Sequence, residues 1–290
     1  MQLVYNWHIT EKCNYSCHYC FSKWRHFQEI WKDKYLVESL FNALSKSRLS
    51  RNFSEFDFVN KKVRINFAGG EPLVLGSHLK EIISSATTRY GFECSIITNG
   101  SLLEKNMEIV SMLSIVGISV DSFSVDTNNK IGRATDQNII LDYETLVKMV
   151  KDIRQINPDC IIKFNVVVNA FNWNEVIIPE LQTLGPDKIK VFRQLPFGSH
   201  CGILDEQYNN FSIINKDRIG NVWYEDNVDM TNSYLMIDPS GRFFQNGNPL
   251  EYHYSDAIYD TGLENALAQI IFNKRIFMQR YQNGAVYADK

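Results

Sequence analysis

Thr10-Glu11-Lys12-Cys13-Asn14-Tyr15-Ser16-Cys17-His18-Tyr19-Cys20-Phe21 sets three cysteines at the spacing C-x3-C-x2-C, with an aromatic residue before the third. Three thiolates on one short loop can hold three irons of a four-iron cluster. An all-protein cluster takes four cysteines, so three leave one iron open to a small molecule. An open metal position marks a site built for chemistry rather than structure. The same loop could instead make a structural zinc site with His18 or His8 as fourth ligand. Zinc modules usually carry paired Cys-x2-Cys knuckles, whereas Cys94, Cys160 and Cys201 stand isolated.

The rest of the composition narrows the class. A length of 290 residues suits one large domain, or a domain with an extension. Hydrophobic residues make up 44%, enough for a core, and aromatics at 13% fit a substantial pocket or a well-filled barrel. A net charge of -3 gives no field for nucleic acid or a membrane surface. A polyanion must therefore be met by a local cluster of Lys and Arg. Met1-Gln2-Leu3-Val4 leads straight into a strand-like run, with no signal peptide. The apolar stretch from Ile109 to Val120 is too short to span a bilayer. Unpaired cysteines and an oxygen-sensitive cluster fit a reducing compartment, and the chain is expected in the cytoplasm.

Short β-branched runs alternate with amphipathic ones of helix length. Leu3–Ile9, Val63–Phe67, Cys94–Ile97, Ile115–Val120, Ile161–Val168 and Ile189–Phe192 read as buried parallel strands. Between them, Tyr35–Lys46, Leu79–Arg89, Glu104–Leu113, Tyr143–Ile156 and Asn174–Leu184 have helical periodicity. This βα repeat predicts a parallel α/β sheet with right-handed crossovers. Periodicity does not separate an open sheet from its closed-up form, a partial (β/α)6 barrel. Ser47–Asn60 reads as a surface insertion. After Phe192 the pattern turns to Gly- and Asn-rich turns, a hairpin around Pro239-Ser240-Gly241 and a last helix near Leu263–Tyr281. The predicted division is a core over residues 1–195 and a C-terminal extension over 196–290 packed on it.

Ligands of parallel α/β folds gather at the carboxyl ends of strands. The cysteine loop follows the first strand, Gly69-Gly70-Glu71-Pro72 the second, Asn99-Gly100-Ser101 the third and Asp121-Ser122-Phe123 the fourth. Gly69 and Gly70 let the backbone approach a ligand closely, and Glu71 can accept hydrogen bonds from an ammonium group. Arg133 carries a planar fork of donors suited to a carboxylate, or is a surface loop arginine. Lys163 and Asn165 stand i, i+2 on the fifth strand and Lys188 and Lys190 on the sixth, so each pair shares a face. Matched pairs on neighbouring strands favour an anion site over lysines that snorkel to solvent.

The ordered motifs point further. Asn6-Trp7-His8-Ile9-Thr10, Asn66-Phe67-Ala68-Gly69-Gly70-Glu71-Pro72, Thr98-Asn99-Gly100-Ser101-Leu102, Ser119-Val120-Asp121-Ser122-Phe123 and Ile131-Gly132-Arg133 come first. Lys163-Phe164-Asn165, Lys188-Ile189-Lys190-Val191-Phe192 and Asn232-Ser233-Tyr234-Leu235 follow. In this order, and with C-x3-C-x2-C ahead of most of them, the chain resembles the viperins, a family of radical S-adenosylmethionine (SAM) enzymes. The resemblance covers most of the chain.

The resemblance implies a partial (β/α)6 barrel of radical SAM type with a C-terminal extension. It implies a [4Fe-4S] cluster on Cys13, Cys17 and Cys20, with Phe21 and Phe67 as shields. It implies SAM held by Gly69, Gly70, Glu71, Asn99, Ser119 and Arg133. The implied substrate is a ribonucleoside triphosphate, UTP or CTP by the family's habit, contacted by Asn6, Arg64, Lys163, Asn165, Lys188, Lys190 and Arg280. Its dehydration to a 3′-deoxy-3′,4′-didehydro nucleotide serves antiviral defence in the family, with Tyr234 as the final hydrogen or proton donor and an external one-electron donor as partner.

Four departures bear on this reading. Arg64 stands where animal viperins carry a lysine, and Arg280-Tyr281-Gln282-Asn283-Gly284 replaces the family's Arg-Gly-Gly. The chain lacks the amphipathic membrane helix and the tryptophan-bearing tail of animal viperins, which favours a compact soluble relative of microbial origin. Two other functions fit the same residues: a radical SAM enzyme that modifies a peptide or cofactor, and a non-catalytic, metal-stabilised nucleotide-binding protein.

Overall fold

The computed structural model of the chain describes residues 1–22, 28–196, 202–248 and 251–282. Cys201 and the tail from residue 283 lie outside them. Two compact units share the chain. The first comprises Met1–Lys12, Ser22–Ser95 and the chain from Asp229 onward; the second comprises Cys13–Phe21 and Ile96–Val228.

In the first unit, β1 (Val4–Thr10) alternates Tyr5, Trp7 and Ile9 on one face with Asn6, His8 and Thr10 on the other. Tyr5, Trp7 and Ile9 are fully buried. Trp7 meets Phe41 of α1 (Lys34–Ser45) edge-on, with ring centroids 5.8 Å apart. Asp33 starts α1 by accepting from the amides of Tyr35 and Leu36. β2 (Arg64–Gly69) runs parallel to β1, and α2 (Ser77–Thr88) leads on to β3 (Glu93–Thr98). β3 passes from the first unit into the second after Ser95.

The second unit carries four parallel strands in chain order: β4 (Ile115–Ser119), β5 (Ile161–Val168), β6 (Lys188–Arg193) and β7 (Val222–Glu225). Its crossovers include α3 (Val125–Ile131), α4 (Tyr143–Ile156), α5 (Ile178–Thr183) and α6 (Asp205–Ile214). Asp142 caps α4 through the Thr145 amide at 2.8 Å. Back in the first unit, β8 (Leu235–Ile237) lies parallel to β1 on the side away from β2. β9 (Arg242–Gln245) and β10 (His253–Ala257) follow it antiparallel. The fold is thus mixed α/β with a mostly parallel sheet. Among the described residues β7 and β10 each end the strand order with one neighbour.

Three local expectations change. Ser47–Asn60 is not a mere surface insertion: Ser47 is buried with its hydroxyl 2.7 Å from that of Tyr5, and Phe53 and Phe56 are buried with it. Glu104–Met112 winds as a 3-10 helix interrupted at Asn106. The last helix is two pieces, Leu263–Leu267 and Lys274–Gln282. Among the described residues no helix is long and apolar enough to cross a membrane.

Candidate active site

The glycine pair of the first unit closes on the end of β1. Gly70 N–H donates to the Thr10 carbonyl and Glu71 N–H to the Lys12 carbonyl, each at 2.7 Å. Gly69 has φ +136°, and a Cβ there would lie 2.5 Å from the Thr10 oxygen. A Cβ on Gly70 would lie 2.6 Å from the Glu11 oxygen. Side chains are therefore excluded at both positions by backbone contact. Glu71 is fully buried, and one of its oxygens caps Leu73 N at 3.0 Å.

Glu29 fixes the same strand end. It accepts from the Thr10 hydroxyl at 2.8 Å, Glu11 N at 2.9 Å and the Trp31 indole at 2.8 Å. Burial pushes the Glu29 carboxyl up, but these hydrogen bonds outweigh it and hold the pKa below the usual value.

A directional chain of amides crosses this unit. Ser95 Oγ donates to Asn66 Oδ1 at 2.8 Å, and Asn66 Nδ2 donates to Asn6 Oδ1 at 2.9 Å. That fixes Asn6 with its Nδ2 as a buried donor without a partner. Arg64 on β2 turns towards Glu93, 3.6 Å away, and leaves a buried Nε unpartnered. Tyr234 is half-buried just before β8, and its carbonyl accepts from Gln245 Nε2 at 2.9 Å. Arg280 falls in the last helix, and its side chain lies outside the described residues.

In the second unit the cysteine loop leans on the Ile131-Gly132-Arg133 turn. Ser16 N donates to the Gly132 carbonyl at 3.1 Å and His18 N to the Ile131 carbonyl at 2.9 Å. Gly132, at φ +84°, has no room for a side chain, because a Cβ would lie 2.6 Å from the Ser16 oxygen. The first cysteine is tied elsewhere. Asn99 Nδ2 donates to Asn14 Oδ1 at 2.8 Å and lies 3.9 Å from Cys13 Sγ, while Asn14 Nδ2 donates to Ser101 Oγ at 2.8 Å.

None of Cys13, Cys17 and Cys20 is in a disulfide. Burial pushes the Cys17 thiol up to about 12, with Arg133 opposing and Asp121, Cys20 and Cys13 adding to the rise. Among the described residues no three His, Cys, Asp or Glu side chains converge on one ion. A cluster needs no such convergence, because each thiolate takes a different iron. Three unbridged thiols on one loop therefore fit a cluster as a donor set.

Arg133 is not a surface arginine. It is buried, with Nη1 3.6 Å from Asp121 and 3.4 Å from the Tyr19 hydroxyl, Nη2 on the Ser119 carbonyl, and its guanidinium 5.6 Å from the Tyr15 ring. Burial alone would discourage its charge, and the Asp121 carboxylate more than offsets that. Tyr19 donates to the same carboxylate, and burial together with Asp121 holds its phenol well above the ordinary value. The carboxylate that meets Arg133 here is thus the protein's own. Tyr19 and Asp121 each belong to a motif quoted above, but their pairing is not legible in the sequence, because it joins residues 102 apart.

The lysine pairs fall into register. Lys163 of β5 is opposite Lys188 of β6, Asn165 is opposite Lys190, and Ser119 of β4 is opposite Asn165. Asn165 is buried with an unpartnered Oδ1. β7 supplies two residues that the sequence reading missed. The Lys188 ammonium lies 4.1 Å from the Trp223 ring centroid, and Lys190 pairs with Glu225. Their only signal was the i, i+2 spacing of Trp223 and Glu225 in a short segment of mixed polarity.

The Radical SAM superfamily profile matches residues 7–177, more than half of the chain, and sets the class. The S-adenosylmethionine-dependent nucleotide dehydratase of Fibrobacter sp. (strain UWH6) is 39% identical over 98% of this chain and 89% of its own length. The dehydratase of that name from Psychrobacter lutiphocae is 37% identical over 98% and 96%. The solved structure of native anSMEcpe with bound AdoMet covers 96% of this chain and 82% of its own at a TM-score of 0.62 and 13% identity, a likeness of fold. The chain belongs to the S-adenosylmethionine-dependent nucleotide dehydratases, the viperin family, within the radical SAM superfamily.

Proposed function

We propose that this chain dehydrates a ribonucleoside triphosphate, UTP or CTP by preference, to its 3′-deoxy-3′,4′-didehydro analogue, a chain terminator suited to antiviral defence. The observation that carries the triphosphate is the register of Lys163 with Lys188 and of Asn165 with Lys190. Convergent cations are what a polyphosphate requires.

Cys13, Cys17 and Cys20 would hold the [4Fe-4S] cluster. Gly69, Gly70, Glu71, Asn99, Ser119 and Arg133 would hold SAM. When bound, cluster and SAM would together supply the 5′-deoxyadenosyl radical that takes the 4′-hydrogen. The C3′–O bond of the sugar radical then breaks and its hydroxide leaves as water with one proton. One electron from an external donor completes the C3′=C4′ double bond. Asn6, Arg64 and Arg280 join the lysines as substrate contacts, and Tyr234 is the proposed hydrogen or proton donor. We read residues 196–290, which carry Tyr234 and Arg280, as the extension that completes the substrate site, and the cytoplasm as the compartment.

The test is anaerobic turnover of reconstituted protein with SAM, dithionite and each of CTP, UTP, GTP and ATP, read by mass spectrometry. A nucleotide lighter by one water, with 5′-deoxyadenosine, is the expected result. SAM cleavage without a dehydrated nucleotide would overturn the substrate and leave the radical chemistry standing.

A further inference from the structure

Glu225 is a buried carboxylate that the reaction above leaves without a task. It ends β7, is 5% exposed, and its side chain pairs with the Lys190 ammonium. Its backbone is anchored too, because the Tyr208 hydroxyl donates to the Glu225 carbonyl at 3.2 Å. The adjacent Asp226 serves a different cation, Arg193, at 3.4 Å. Trp223 shares the Glu225 side of β7 by strand alternation and stacks on Lys188. β6 lies between β5 and β7, so both of its lysines are held from the β7 side.

We propose that Glu225 is the counter-ion that sets the phosphate affinity of the β5–β6 lysines, a positioning residue that acts through Lys190. The proposal rests on reading those lysines as the triphosphate site. A lysine side chain has ample rotamer freedom, and burying its ammonium unpaired is unfavourable. The Glu225 carboxylate removes both problems, holding Lys190 extended before substrate arrives. The same negative charge then opposes the incoming phosphate. Like charges about 7 Å apart at an effective dielectric near 20 repel by roughly fiftyfold in affinity. Solvent screening lowers that to roughly fivefold. The pair thus trades affinity for a lysine that is already placed, and leaves the product free to depart.

Equilibrium dialysis of the reconstituted full-length protein tests this, with CTP, UTP and inorganic tripolyphosphate as probes. The wild type is compared with Glu225→Gln, Glu225→Asp and Lys190→Ala. Glu225→Gln keeps the shape and a hydrogen-bond acceptor for Lys190 but loses the charge. It is expected to bind all three probes about fivefold tighter, with a steeper salt dependence. Glu225→Asp, which draws the charge back by one methylene, is expected between wild type and Glu225→Gln, and serves if the neutral variant does not fold. Lys190→Ala is expected to bind the probes more weakly. If Lys190→Ala weakens binding while folded Glu225→Gln matches or falls below wild type, the counter-ion role is overturned and the phosphate site stands. If Lys190→Ala binds every probe as the wild type does, the phosphate reading falls and the counter-ion role with it.

Discussion

Gly117 on β4 leaves the space through which the Lys163 side chain passes on β5. The two residues are register partners, and a Cβ on Gly117 would stand 3.1 Å from Lys163 Cε while colliding with Ile97 Cδ1. Gly117→Ala is expected to lower stability by about 1–3 kcal/mol through overpacking and to weaken triphosphate binding by displacing the lysine. Thermal unfolding and nucleotide dialysis on one preparation check both. A lower melting temperature with unchanged nucleotide affinity would show that Lys163 keeps its place.

Lys163→Ala removes one of the three lysines in the β5–β6 register. Triphosphate affinity is expected to fall about tenfold, the loss of one charge-assisted contact. Iron content and SAM cleavage without nucleotide are expected to stay at wild-type levels. Unchanged affinity would remove β5 from the proposed phosphate site.

Gly132→Ala places a Cβ in the left-handed region against the Ser16 carbonyl. The strain is about 1–3 kcal/mol and falls on the turn that backs the cysteine loop. The variant is expected to reconstitute with less iron per chain than wild type, as Cys17→Ala should more severely. Full loading of Gly132→Ala, with an unaltered cluster spectrum, would mean that the loop does not depend on this turn.

His8 gives the protein a pH dependence of stability. Burial lowers its pKa from 6.5 to about 3, so between those values the unfolded chain holds a proton that the folded chain refuses. Stability is therefore unaffected above pH 7 and falls as pH drops below 6.5, by up to about 1.4 kcal/mol per unit. Urea melts at pH 7 and pH 5.5 should separate wild type from His8→Gln, whose loss over that interval is expected to be smaller. Equal losses would assign the dependence to other groups.

β1 to β6 were legible to within a residue or two, because each buries apolar residues on at least one face of the strand. β7 and β10 were not. Val222-Trp223-Tyr224-Glu225 and His253-Tyr254-Ser255-Asp256-Ala257 are edge strands, half exposed and mixed in polarity. Asn174–Leu184 shrank to Ile178–Thr183 because Pro179 is tolerated only in the first turn of a helix. The last helix broke where Asn273 N donates to the Asn232 carbonyl at 2.6 Å and its side chain caps Ile276 N. The cysteines, the glycine pair and the lysine pairs announce themselves by local spacing. Asp121 beside Arg133, Glu225 beside Lys190 and Ser95 behind Asn66 do not, since each partner is supplied by another strand or loop.

The hydrogen bonds from Gly70 to Thr10 and from Glu71 to Lys12 act as a ruler. They continue the β1–β2 register past the end of the strand, up to the residue before Cys13. One residue gained or lost between Ile9 and Cys13 would slip that register and leave two backbone donors unmatched, so natural length variation should be barred there. Ser47–Asn60 and the glycine pair are under opposite rules: a loop can lengthen around Phe53 and Phe56 if their packing survives, whereas the count of residues between strand and first cysteine cannot change. Among relatives of differing length, that interval should be constant.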